Sequence, residues 1–157
     1  MDKRISVLCI MQKYLPILRK INGWTTEELG KRIGVTKQTI SNLENRKVVM
    51  TKTQYLALRT VFEYEIRVVD ENMVLKRVMA ILFYDDAKLS AEIEEQLYEA
   101  LENLSAAATG GIRGSQLAML ATTLLSPLKL PSGVNVNLDL KAPPYGWVSE
   151  IIQQEEA

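Results

Sequence analysis

The 157 residues contain no histidine and one cysteine, Cys9. These two facts remove most catalytic chemistry at once. Without histidine there is no Ser-His or Cys-His pair, no His-containing zinc site and no imidazole pH switch. One thiol forms no intramolecular disulfide and suits a reducing, cytoplasmic setting. Cys9 lies in the apolar run "ISVLCIM", so a buried, inert thiol is expected. Glu92, Glu94, Glu95, Glu99 and Glu102 recur turn after turn, as on a solvated helix face. Lacking His or Cys partners, they do not read as a metal or acid/base cluster. "GGIRG" (110–114) lacks the Lys-Ser/Thr of a phosphate-binding loop and follows no strand. Tyr145 and Trp147 are read as anchors for a tail. No catalytic residue, metal ligand or cofactor is expected, and the chain is not read as an enzyme.

The polar groups that remain conspicuous sit close together, in "TKQTISNLENRK" (36–47). At helical spacing Ile40 and Leu43 face one way, and Lys37, Gln38, Ser41 and Asn42 face the other. The outward set is rich in amides and hydroxyls instead of the usual Glu/Lys mixture. Such groups match the donors and acceptors that base pairs display in the major groove, into which one helix fits. Gln pairs bidentately with adenine, Lys donates to guanine, and Asn does what Gln does over a shorter reach. Thr39 lies at the edge of this face, within reach of a backbone phosphate. Arg46 and Lys47 follow the helix and are placed to neutralise flanking phosphates. Glu44 would repel phosphate, so it is expected to bond inward.

Such a helix must be held rigidly, and the local grammar says how. Thr25, Thr36 and Thr51 each precede a helical run as an N-cap. Glu28 and Gln54, three residues after the first and third of these, complete capping boxes. The pairs Trp24/Leu29, Val35/Ile40 and Met50/Tyr55 form hydrophobic staples around the three caps. Gly34 supplies the positive φ that turns one helix into the next. Upstream, residues 3–14 read as a helix, and Pro16 marks a kink or the start of a second short helix, 16–22, capped by Asn22-Gly23. A further helix is expected at roughly 52–68.

These residues carry a resemblance. Residues 15–66 resemble the lambda-repressor-like (Xre/Cro) helix-turn-helix family. Its pattern "L..LR...G.T..EL...IGV....IS..E..K" is met by Leu18, Arg19, Gly23, Thr25, Glu28, Leu29, Ile33, Gly34, Val35, Ile40, Ser41, Glu44 and Lys47, without gaps. The resemblance covers about a third of the chain. It implies a bundle of four or five helices, a homodimer on a roughly palindromic operator, and transcriptional regulation, more in the manner of a repressor than an activator. By position, Lys37, Gln38, Ser41 and Asn42 become base readers, and Thr26 and Thr36 phosphate contacts beside Arg46 and Lys47. Three positions depart from the pattern. Thr26 replaces a usual Gln, and Arg46 a frequent Gly. Gly30 replaces a usual Ala, costing roughly 0.5–1 kcal/mol of helix propensity.

Charge supports a nucleic-acid partner for the first half. Residues 1–70 carry 13 Lys/Arg against 7 Asp/Glu, and residues 71–157 carry 6 against 12, so halves of +6 and −6 cancel. The expected architecture is all-α: a helix-turn-helix domain over 1–70, then a helical dimerisation or regulatory region over 71–157 with a tail from about 127. Residues 73–84 are apolar nearly all round and should be buried. Leu89, Ile93, Leu97, Leu101 and Leu104 form a stripe that suits either intrachain core or a dimer seam. Ser115 is expected to cap a helix reaching about 125. "VNVNLDLK" alternates like a strand, either an extended tail or a pairing across a dimer, and a short acidic helix would close the chain. No stretch reaches the ~20 apolar residues of a membrane span, and no signal peptide is evident. The expected partners are double-stranded DNA and a second copy, with an effector or protein partner for the C-terminal half. An alternative keeps the same fold as a protein-interaction module, antitoxin-like or phage-derived, with little DNA binding of its own.

Overall fold

The computed structural model describes residues 3–68, 73–84, 89–128 and 130. Within them the chain is helical, with seven α-helices: α1 Lys3–Ile21, α2 Thr26–Ile33, α3 Lys37–Glu44, α4 Lys52–Val68, α5 Met73–Met79, α6 Ala91–Thr109 and α7 Gly114–Leu125. A π-helical turn, Ala80–Tyr84, continues α5. The alternating run 134–140 and the expected closing helix lie outside the described residues.

The helix starts follow the local grammar. Thr25 Oγ1 accepts from the Glu28 amide at 3.0 Å, and Thr36 Oγ1 from the Thr39 amide at 3.1 Å. At Thr51 the box closes both ways: its hydroxyl takes the Gln54 amide at 3.1 Å, and Gln54 Oε1 takes the Thr51 amide at 2.9 Å. Among the described residues the Glu28 carboxylate makes no such return bond. Trp24 and Leu29 are both buried, as a staple requires. Ser115 does not cap α7. It lies within the first turn, and Arg113 holds the cap position without a side-chain bond.

Two expectations for the first helix are corrected. Pro16 neither ends it nor starts another, and α1 runs through it for 19 residues. A mid-helix proline deletes the bond to the carbonyl four residues back and costs about 3 kcal/mol. Here Met11, Tyr14, Leu15, Ile17, Leu18 and Ile21, on both sides of the proline, are all buried in one core, and burial of that stripe outweighs the lost bond. Cys9 is exposed, not buried. The segment is apolar all round, and the register set by Met11, Tyr14 and Leu18 turns residue 9 to solvent.

The core is continuous. The buried residues of α1 pack with Leu29, Ile40 and Leu43 of α2 and α3, and with Tyr55, Leu58 and Phe62 of α4. The same cluster takes in Leu75, Val78 and Met79 of α5, Leu97, Leu101 and Leu104 of α6, and Leu117, Ala121 and Leu125 of α7. Leu97, Leu101 and Leu104 of the α6 stripe are therefore intrachain core, on a helix packed against α1 and α7. Glu95, Glu99 and Glu102 face solvent on its other side. Lys13 of α1 bridges to Glu94 of α6 at 3.1 Å and lies over the rings of Tyr14 and Tyr98. Arg59 and Glu63 of α4 form a buried pair at 3.3 Å, with Arg59 also donating to the Tyr55 hydroxyl at 2.7 Å.

Candidate nucleic-acid interface

The α2–α3 pair is built around close backbone approach. Gly34 ends α2 at φ 80°, and the Val35 amide returns to the Gly30 carbonyl at 2.9 Å. Gly30 is buried in mid-helix, where a β-carbon would lie 2.6 Å from the Val35 carbonyl oxygen and 3.2 Å from Thr36 C. The departure from Ala at this position thus has a steric cause: the turn leading into α3 passes directly over residue 30.

Ile40 and Leu43 are completely buried and fix the back of α3. On its front Lys37 and Gln38 are exposed, and Ser41, Asn42 and Thr39 half-buried. The polar tips are ordered among themselves. Gln38 Nε2 donates to Asn42 Oδ1 at 2.9 Å, and Asn45 Nδ2 donates to Ser41 Oγ at 3.2 Å. Thr36 and Thr39 share a hydroxyl bond at 3.1 Å, so both side chains are held at the start of the helix. Thr26 is half-buried in the first turn of α2, beside the exposed Glu27 and Glu28. That acidic pair makes the start of α2 a poorer phosphate seat than the start of α3, where Lys37 sits.

Glu44 bonds inward. Arg19 of α1 grips it through two bonds, Nε to Oε2 at 2.6 Å and Nη2 to Oε1 at 2.9 Å, with both side chains largely buried. Arg19 Nη1 also donates to the Trp24 carbonyl at 2.9 Å. One guanidinium therefore ties the C-terminal end of α3 and the turn before α2 to α1. Trp24 is stacked on Phe62 of α4, with the Arg32 guanidinium 4.0 Å from its ring centre.

The end of α3 is a Schellman motif: the Lys47 amide bonds the Asn42 carbonyl at 2.9 Å, and the Arg46 amide the Leu43 carbonyl at 3.2 Å. Arg46 occupies the left-handed position, at φ 58°. The same motif closes α1 and α6 with Gly23 and Gly111 in that place. Arg46 and Lys47 are exposed, and neither has an ion-pair partner among the described residues. After them Val48 and Val49 are exposed by 46% and 86%.

That loop is pinned by a residue the sequence did not single out. Gln12 of α1 donates from Nε2 to the Leu43 carbonyl at 3.0 Å and to the Val48 carbonyl at 2.7 Å, and its Oε1 accepts from the Met50 amide at 3.0 Å. No local pattern could have revealed this, because the partners are 31 to 38 residues away.

Residues 17–65 match the helix-turn-helix family model. They are a helix-turn-helix domain. This is the module of DNA-binding regulators, in which the second helix of the pair enters the major groove. The chain is similar to two proteins named Antitoxin HipB. One, from Escherichia coli K12, is 36% identical over 56 residues, covering 36% of this chain and 64% of that protein. The other, from Escherichia coli O6:H1, is 52% identical over 31 residues, covering 20% and 33% respectively. The chain thus spans less than two thirds of the length of either relative. No solved structure matches it. Among the described residues no helix is long and apolar enough to cross a membrane.

Proposed function

We propose that the protein is a sequence-specific DNA-binding transcriptional regulator that acts as a repressor. It binds a palindromic operator as a homodimer, with α3 of each copy in a major groove. The observation that carries this reading is the outward polar face of α3, with Lys37 and Gln38 exposed and Ser41 and Asn42 half-buried, backed by fully buried Ile40 and Leu43 inside a matched helix-turn-helix domain. Lys37, Gln38, Ser41 and Asn42 meet base edges. Thr26, Thr36, Thr39, Arg46 and Lys47 meet phosphates, the first of these being the weakest because of its acidic neighbours. An eight-residue helix reads few base pairs, and a second copy on a half-site about 34 Å away doubles the contacts. Since the α6 stripe is occupied within the chain, the copies meet through other surfaces.

Selecting binding sites from random duplex DNA tests the reading directly, and a recovered palindrome is the expected result. Gln38→Ala then lowers affinity by about 1–3 kcal/mol and relaxes one base position, while Lys47→Ala weakens all sequences alike. If no sequence is enriched above the starting pool, specific reading is wrong. A second reading takes its support from the two relatives named as antitoxins: the same fold serves as a protein-interaction module, binding a toxin-like partner. Co-purification with such a partner, without salt-sensitive DNA binding, would favour it.

A further inference from the structure

We infer that Gln12, which lies outside the matched helix-turn-helix segment, is a positioning residue for DNA binding: it holds the basic loop after α3 in the conformation that presents Arg46 and Lys47 to phosphates. The inference rests on the DNA-binding reading above. A primary amide offers two donor hydrogens and an acceptor oxygen. In Gln12 both hydrogens go to backbone carbonyls, of Leu43 and Val48, and the oxygen to the Met50 amide. Those three groups bracket the loop. Leu43 is the last buried residue of α3, Met50 is buried immediately before the Thr51 cap of α4, and Val48 lies between them.

The loop needs such a fixture. Residues 45–49 are all exposed, so side-chain burial does not hold them. Arg46 sits in the left-handed region, which disfavours a side chain bearing a β-carbon, so the surroundings must maintain that conformation. The Schellman bonds set the first half of the loop and Gln12 sets the second. Without Gln12, the Val48 carbonyl and Met50 amide turn to water and the Arg46-Lys47 pair is free to move away from the groove edge. Among the described residues neither cation has an anion to hold it otherwise.

No other residue type supplies two donors and an acceptor on a stem of this length. Gln12→Met keeps the length and helix propensity and removes all three bonds. Gln12→Asn keeps the amide and withdraws it by one methylene. Each neutralised phosphate contributes about 0.9 to the slope of log K against log salt on duplex DNA. Loss of both cations therefore removes up to about 2 from the parental slope.

The test is operator binding by the full chain, titrated at several salt concentrations, for the parent, Gln12→Met, Lys47→Ala and the double variant. Thermal unfolding is followed in parallel. The expected result is a slope shallower by roughly 1–2 for Gln12→Met at temperatures where it is folded. Lys47→Ala should then have less effect in that background than in the parent. A merely structural role would lower the melting temperature and leave the slope of the folded protein alone. If Gln12→Met melts below the assay temperature, Gln12→Asn is read in its place, with the same expectation. A parental slope in the folded variant, or strict additivity with Lys47→Ala, overturns the role of Gln12 and leaves DNA binding standing. A parent with no salt-dependent binding overturns both.

Discussion

Replacing Gly30 with alanine separates two opposing effects of known size. On propensity alone the change helps, because glycine in a helix interior is about 0.5–1 kcal/mol worse than alanine. Against it stands the β-carbon, which would lie 2.6 Å from the Val35 carbonyl oxygen, with Thr36 C and O at 3.2 and 3.3 Å. A tolerable carbon–oxygen contact is nearer ~3.3 Å. The turn must therefore retreat by roughly 0.7 Å, and the obstacle is backbone that cannot rotate aside. Overpacking of this kind costs about 1–3 kcal/mol. The net expectation for Gly30→Ala is a destabilisation of about 1 kcal/mol, a fall of roughly 2–4 °C in melting temperature for a chain of this size. The segment that retreats includes Thr36, the cap of α3, so the outward polar face of α3 shifts with it. Operator affinity should fall by more than the loss of folded protein explains. Differential scanning calorimetry with a parallel binding titration measures both. A melting temperature 2–4 °C above the parent would show that the propensity gain was realised freely, and the steric account of Gly30 would be refuted.

Three further outcomes follow from the same geometry. Arg46→Gly removes a side chain from the left-handed position and should raise unfolding stability by about 1 kcal/mol, while making the salt slope of DNA binding shallower by about 1. A denaturant titration paired with the salt series reads this trade. Glu44→Ala leaves the Arg19 guanidinium in a largely buried setting without its carboxylate, which should cost about 3–5 kcal/mol. The double replacement Arg19→Met/Glu44→Leu should recover much of that, and chemical denaturation decides. Tyr14 is buried with a hydroxyl that finds no hydrogen-bond partner among the described residues. Burial, and then the nearby charge of Glu94, raise its pKa above the ordinary value of 10. The folded state thus holds this proton more tightly than the unfolded chain, so its contribution is complete below pH 10 and is lost as pH rises beyond it. Tyr14→Phe should melt no lower than the parent at neutral pH and lose less stability between pH 10 and 12, as alkaline melts would show.

The residues and the folded chain divide the information by distance along the sequence. The starts of α2, α3 and α4 were legible because a capping bond joins groups three residues apart, and Thr25, Thr36 and Thr51 carry their partners with them. The outward face of α3 was legible for a similar reason: the helical period alone puts Ile40 and Leu43 opposite Lys37, Gln38, Ser41 and Asn42. The inward turn of Glu44 followed from its charge, though its partner Arg19 did not. α1 was misread at Pro16 and Cys9 because propensity speaks for one turn of helix, whereas the continuity and register of those 19 residues are set by the stripe they bury against α3, α4, α5 and α6.

What the sequence determined by itself is therefore a helix-turn-helix unit with a polar, base-edge-like face and a basic sequel at Arg46 and Lys47. Tertiary structure decided that the α6 stripe closes on α1 within the chain, that Gly30 must lack a β-carbon, and that Gln12 fixes the loop carrying those two cations. The first and last are contacts between groups far apart in sequence, and Gly30, though it meets residues only five and six positions on, does so across a turn whose path is set by the packing of α3. A side chain's hydrogen-bonding capacity is written in its chemistry, but where that capacity is used depends on which backbone the fold brings within 3 Å of it.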